Sequence, residues 1–282
     1  MKITKFHTGI ALTTSLLLAA LTGCGAANTA SSSASGSASS SVSASASSQS
    51  SKKHTSFFVK DNGDGTKVIK DIDGKEVTVP TTPERIADLW HANNQVVLLL
   101  GGAEKLVSTT STVKSLAWFK QVYPGIEKVD APVKGTDVNM EQLLADKPEV
   151  LLASSKEQIA KASEAGIPAV HVEFQNFADL KRTVELTAEV IGTDEAIERA
   201  EKYLAYLEKN ENLIKERLQG VTESPKVLHI AGGSDLTKVD GSNSLIGEWM
   251  KLSGAKNSLD GVENLKNISL EQIIASQPEY II

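Results

Sequence analysis

The chain has 282 residues, a formal charge of −6, 40% hydrophobic and 23% charged residues, a globular composition with room for one large or two small cores. The excess of acid argues against nucleic acid as a partner, because phosphate binding needs a basic face. A single cysteine excludes disulfides within the chain.

Lys2 and Lys5 give a positive start, and residues 10–21 form an apolar run without a charge. The run is far below the ~20 residues that cross a bilayer, so it reads as a secretory signal. It ends in Leu21-Thr22-Gly23-Cys24, which resembles a lipobox, the signal for bacterial lipoprotein processing. That resemblance implies that Cys24 receives a diacylglyceryl group on its sulfur and becomes the mature N-terminus, with two acyl chains sufficient for stable anchoring. From 25 to 51 the chain is almost entirely Ser and Ala. It has too little apolar surface to offset ordering entropy, and it is expected to stay disordered as a flexible tether.

The folded body is expected to start near Ser56. Phe57-Phe58-Val59-Lys60, the turn Asp61-Asn62-Gly63-Asp64-Gly65 and Thr66-Lys67-Val68-Ile69 predict a hairpin. The acidic turn does not have the spacing of an EF-hand calcium loop. Glu76-Val77-Thr78-Val79-Pro80 adds a strand after the Asp73-Gly74 turn. Strands and helices then alternate: a short strand at 85–91, a helix over 94–100, a strand at 105–109, a helix over 141–147 stopped by Pro148, a strand at 150–153, a helix over 157–165 and a strand from 167 to 173. Such alternation predicts parallel βαβ units.

From 177 to about 220 apolar residues recur at helical spacing with no strand signal, interrupted only at Gly192-Thr193, and Lys226-Val227-Leu228-His229-Ile230 then resumes the strand pattern. An internal echo supports two lobes. Met140-Glu141-Gln142-Leu143-Leu144-Ala145-Asp146-Lys147-Pro148-Glu149-Val150 recurs as Leu270-Glu271-Gln272-Ile273-Ile274-Ala275-Ser276-Gln277-Pro278-Glu279-Tyr280. The predicted fold is α/β: two Rossmann-like lobes joined by a long backbone helix, with the second lobe incomplete and the sequence read as C-terminally truncated. The predicted layout is a signal peptide at 1–23, a lipidated cysteine with a disordered linker at 24–55, an N-terminal lobe at 56–176, a helical connector at 177–221 and a partial C-terminal lobe at 222–282.

With these pieces in place, the chain resembles the class III solute-binding proteins of ABC importers for ferric siderophores, haem and cobalamin. The resemblance is carried by Asp71-Ile72-Asp73-Gly74-Lys75-Glu76-Val77-Thr78-Val79-Pro80, Pro83-Glu84-Arg85-Ile86, Leu100-Gly101-Gly102 and the two echoed units. It implies two lobes facing across a cleft, with a spanning helix that limits closure. It also implies that Glu141 and Glu271, one at each lobe's apex, pair with arginines of the permease.

Loops after strands are where such a cleft draws its ligand contacts. They offer Trp90 and His91; Ser115, Trp118, Phe119 and Tyr123; Lys134 and Asp137 before Asn139; Ser154, Ser155 and Lys156; and Ser234, Asp235 and Lys238. Aromatics suit a flat chelate, and hydroxyls and lysine an anionic one. His91 is a possible metal ligand or a hydrogen-bonding loop histidine; His171 and His229 sit within strands and read as core residues, as Trp249 does on its helix. Met140 reads as packing rather than as a haem ligand. No Cys/His cluster has metal-ligand spacing, so any metal is expected to arrive inside a chelator.

The expected function is extracellular capture of an iron chelate, a ferric siderophore first, by a monomeric lipid-anchored receptor on the outer face of the bacterial cell membrane. The receptor hands its ligand to an ABC permease and uses no cofactor or catalysis. Haem, cobalamin and a nickel chelate are alternatives of the same class. A lipid-anchored hydrolase is a remote one, lacking a Gly-x-Ser-x-Gly or His-Glu-x-x-His motif, and an adhesin is another.

Overall fold

A computed structural model describes residues 52–135 and 137–282; the segments expected to be a signal sequence and a linker, with Cys24, lie outside the described residues. β1 (Phe58–Asp61), β2 (Thr66–Lys70) and β3 (Glu76–Pro80) form an antiparallel sheet in that order. The acidic turn is held by its own side chains: Asp61 accepts the Gly63 N–H at 2.7 Å, and Asp64 accepts the Thr66 N–H at 3.0 Å and its hydroxyl at 2.6 Å. Its carboxylates close a hairpin, as the spacing predicted.

The chain then runs β4 (Ile86–Asp88), α1 (His91–Leu99), β5 (Leu106–Thr110), α2 (Ser111–Ser115), α3 (Ala117–Val122), β6 (Asp130–Lys134), β7 (Asp137–Val138), α4 (Met140–Ala145), β8 (Val150–Ala153), α5 (Lys156–Glu164) and β9 (Ala169–His171). The sheet order is β7-β6-β5-β4-β8-β9, parallel except for the β6–β7 pair. Successive strand residues face opposite sides. Ile86, Val150 and Leu152 join a core with Val96 and Val97 of α1, whereas Ala87, Leu151 and Ala153 join another with Leu143 of α4 and Ala162 of α5. A sheet covered on both faces explains why β8 reads as an unbroken apolar run. Each buried Leu, Ile or Val contributes about 1.5–3 kcal/mol.

Residues 177–221 divide into two helices with different duties. α6 (Phe177–Ile191) buries Val184, Leu186, Val190 and Ile191 in the first lobe, and α7 (Asp194–Arg217) buries only Ala196, Ile197 and Ala200, near its start. Gly192 makes the reversal at φ 73, with the Thr81 carbonyl where a Cβ would stand. The helices run antiparallel, with Lys181 and Glu211 paired at 2.6 Å. At 24 residues, α7 is about 36 Å long and carries the chain to the second lobe, where it packs on α8 (Leu245–Leu252).

That lobe centres on β10 (Lys226–Gly232). It pairs antiparallel with β11 (Asp235–Asp240) and parallel with β12 (Lys256–Asn257) and β14 (Tyr280–Ile281), and β11 pairs with β13 (Lys266–Asn267). α9 (Leu270–Ser276) precedes β14. The core here is small, built on Leu228, Val239 and Leu259. Trp249, expected in a core, is 49% exposed on α8.

The echo persists in three dimensions. Lys147 and Gln277, the residues before the two prolines, both take positive φ, 46° and 47°. Glu149 then places its carboxylate on the N–H of Arg85 (3.2 Å), at the start of β4, while Glu279 does so on that of Lys226 (3.0 Å), at the start of β10. The same device sets both strands in register.

One charged pair lies inside the first lobe. Lys67 of β2 meets Glu189 of α6 at 3.1 Å, with side chains 0% and 1% exposed, and it also donates to the Glu189 carbonyl. The other Glu189 oxygen accepts the Thr55 N–H at 2.8 Å, and His54 Nδ1 lies 3.0 Å from the oxygen that Lys67 meets. Residues 52–56 are thereby strapped across α6 and α7, with Lys53 N–H reaching Asp194 at 3.3 Å and Ser56 reaching Glu185 at 3.0 Å.

Candidate ligand-binding cleft

The carboxyl ends of the parallel strands converge on two adjoining cavities. The smaller, of 150 Å³, lies between Trp90 and His91 after β4, Thr110–Thr112 at the end of β5, and Ser154 and Ser155 after β8. The larger, of 470 Å³, shares Trp90, His91 and Ser154 and adds Glu173, Phe174 and Gln175 after β9. Leu245 of α8 and residues 263–265 complete it from the second lobe, so both lobes face one cleft. Strand ends of an α/β sheet are where ligands of such folds bind.

A buried polar network fixes the β4–α1 turn. Asp88 accepts the Trp90 N–H at 3.1 Å and the Asn93 amide at 3.0 Å. The Asn94 amide donates to the carbonyls of Asp88 and Trp90, both at 2.9 Å. The hydroxyls of Thr109 and Thr187 donate to Asn94 (2.7 Å) and Asn93 (3.0 Å). All five side chains are fully buried, so the turn is tied to β5 and α6 and Trp90 has a rigid base. The Trp90 indole tilts against Phe174, with ring centroids 4.8 Å apart.

Asp88 has no ion-pair partner among the described residues, and burial pushes its carboxyl well above the ordinary range despite the two hydrogen bonds it accepts. A carboxyl raised on folding contributes stability below its unfolded value of 3.8, and that contribution fades as pH rises towards the folded value. An Asp88→Asn variant is therefore expected to lose less stability than the parent as pH is raised above about 4, read from urea midpoints. Parallel pH profiles for the two proteins would assign the dependence to another group.

The sequence-derived candidates separate. Trp90 and His91 meet in the cleft, with His91 exposed as the first residue of α1 rather than in a loop. Ser154 and Ser155 join them, whereas Lys156 turns its ammonium to Asp73 at 3.2 Å and, with His171, holds the Asp73 carboxyl below its usual range. Phe119 is fully buried in the first-lobe core, and Trp118, itself exposed, stacks on it with ring centroids 3.8 Å apart, outside both cavities. Tyr123 lies at the opposite, amino edge of the sheet, in a hollow with Arg85, Glu104 and Asp130. The physical reason is that 111–128 is not a loop: α2, α3 and a 3-10 turn carry the chain back along the sheet. Ser234 and Asp235 sit on the β10–β11 turn outside both cavities, and Asp235 accepts the Thr237 hydroxyl at 2.6 Å.

Glu141 and Glu271 are exposed in the first turns of α4 and α9, beside the capping residues Asn139 and Ser269. Met140 packs against the second core face. His171 is buried, its Nδ1 3.0 Å from Asp73 and its Nε2 3.2 Å from the Ser154 carbonyl. Sequence reasoning misses Glu173 because its strand runs on to residue 173, and Phe174 goes with it; the strand-end rule applied after His171, where β9 stops, points to both. Residues 263–265 carry no periodic signal. Among the described residues, no group of three or more His, Cys, Asp or Glu side chains could hold a bare metal ion.

Comparison with known proteins gives a consistent result. The family described as periplasmic binding protein matches residues 86–282. The uncharacterized ABC transporter substrate-binding lipoprotein YvrC of Bacillus subtilis is 22% identical over 224 residues, covering 76% of this chain and 68% of its own length. The molybdate-binding protein MolA of Haemophilus influenzae is 25% identical over 242 residues, 77% of this chain and 68% of its own. The solved structure of molybdate-bound MolA superposes with a TM-score of 0.68 at 23% identity, covering 76% of this chain and 73% of that one. Helicobacter pylori CeuE with nickel and histidine gives 0.64 at 21% identity, covering 77% and 70%.

Proposed function

This chain belongs to the periplasmic binding protein family, the extracytoplasmic solute receptors of ABC importers, and from that premise we propose that it captures an iron chelate and hands it to its permease. The observation that carries this reading is a cleft at the strand ends lined from both lobes, with Trp90, His91 and Phe174 in its wall. Rings suit the apolar periphery of a chelate, and His91 offers one nitrogen to a metal whose other ligands arrive with it. The lipobox-like sequence ending in Cys24 supports attachment of a monomeric receptor to the outer face of the membrane.

The test is titration by calorimetry with ferric siderophores, haem, cobalamin, nickel–histidine and molybdate. One-to-one binding of a ferric siderophore and weak binding of the rest is the expected result. Tight binding of molybdate, the ligand in MolA's name, would replace the iron chelate in this reading.

Permease docking through Glu141 and Glu271 is part of the same proposal. Both acids are exposed, on equivalent first turns of echoed helices, where charge complementarity acts on encounter and register. The double variant Glu141→Ala/Glu271→Ala is expected to lower uptake by vesicles carrying the permease about tenfold or more while ligand affinity stays unchanged. Undiminished uptake would remove the docking role.

A further inference from the structure

We propose that the cleft selects metal chelates of zero or positive charge, ferric trihydroxamates over ferric tricatecholates; this rests on the iron-chelate reading above. Three hydroxamates carry one negative charge each and neutralise ferric iron, whereas three catecholates carry two each and leave a trianion. The two classes present similar octahedral iron–oxygen cores, and net charge is a feature by which a receptor can separate them.

The lining supplies the sign. Neither cavity has a lysine or arginine in its wall, and the ionisable side chains there are His91, Glu173 and Glu263. Glu263 is balanced by Lys266 at 2.7 Å. Glu173 accepts the Gln175 amide at 3.0 Å and lies 3.5 Å from His171 Nε2, but Asp73 claims the other nitrogen of that ring at 3.0 Å. The ammonium of Lys156, beside Ser155, is turned away to Asp73. Within the walls of these two cavities, then, the fully charged side chains are carboxylates.

The positive element that remains is partial. Trp90 offers no side-chain cap to α1, so the free N–H groups of that first turn carry about half an elementary charge. That suits a neutral oxygen acceptor such as a hydroxamate carbonyl. A trianion entering the same space would lose hydration with no full countercharge to replace it, and would meet Glu173 across a medium less polar than water.

The full chain would be titrated by calorimetry with ferrichrome (neutral), ferrioxamine B (monocationic) and ferric enterobactin (trianionic), with cobalamin and molybdate as controls outside iron chemistry. At least one trihydroxamate is expected to bind at least about a hundredfold more tightly than ferric enterobactin. Glu173→Gln is expected to narrow that ratio about tenfold. Because the ratio is read within one protein, partial loss of fold cannot imitate the change. Ferric enterobactin binding as tightly as the trihydroxamates would overturn the inference. If no iron chelate binds, the iron reading fails separately: tight cobalamin binding then sustains the charge rule, tight molybdate binding overturns it, and binding of none overturns both.

Discussion

A Lys67→Met variant is expected to lose about 3–5 kcal/mol of folding stability, seen as a lower urea midpoint at unchanged slope. Methionine fills the space of the lysine stem, so little of the loss comes from packing. The loss comes from Glu189, left ionised at 1% exposure without its ammonium. The acid is already poised: burial alone would push its carboxyl up, but Lys67, the Thr55 N–H and His54 together hold it below its ordinary value of 4.5. A carboxyl lowered on folding contributes stability above its unfolded value and loses it as pH falls through the folded one. In the parent, acidification below about pH 4.5 therefore removes this contribution. The double variant Lys67→Met/Glu189→Leu should recover at least about half of the loss, because an apolar pair of similar volume replaces a buried ion pair at little cost. Equal destabilisation of single and double variants would show that the residual charge is not the cause.

The second large effect is on binding. Trp90→Ala is expected to weaken chelate affinity about 30- to 1000-fold, the range for a buried aromatic anchor at the centre of a contact. Trp90 lines both cavities, leans on Phe174 and packs on the first-lobe core. Its backbone, not its indole, holds the Asp88 network, so the turn should survive truncation. Calorimetry is the proper readout, since the variant lacks the fluorophore nearest the ligand. A loss below threefold with an unchanged melting temperature would move the binding position elsewhere.

The parallel sheet was legible because β4, β5, β8 and β9 are short apolar runs separated by helices with clear stops. The strand at 150–153 matches the sequence reading residue for residue. The segment 111–128 was not legible. Its helices of five and six residues are too short to display a period, and an aromatic there could equally face ligand or core. That ambiguity put Phe119 and Tyr123 in the wrong place. The second lobe's wall of the cleft was hidden for a different reason: residues 263–265 gain their position from the β11–β13 pairing, a contact between segments that no local pattern announces.

The strap formed by residues 52–56 has a mechanical meaning. A load entering the body at Lys52 meets contacts with Glu185, Glu189, Asp194 and Glu198 spread along two helices. These must yield together, in shear, instead of opening one after another as a peeled strand would. The traction is delivered to the helical spine behind the first lobe, and the turn under Trp90, fastened from within, is spared the pull.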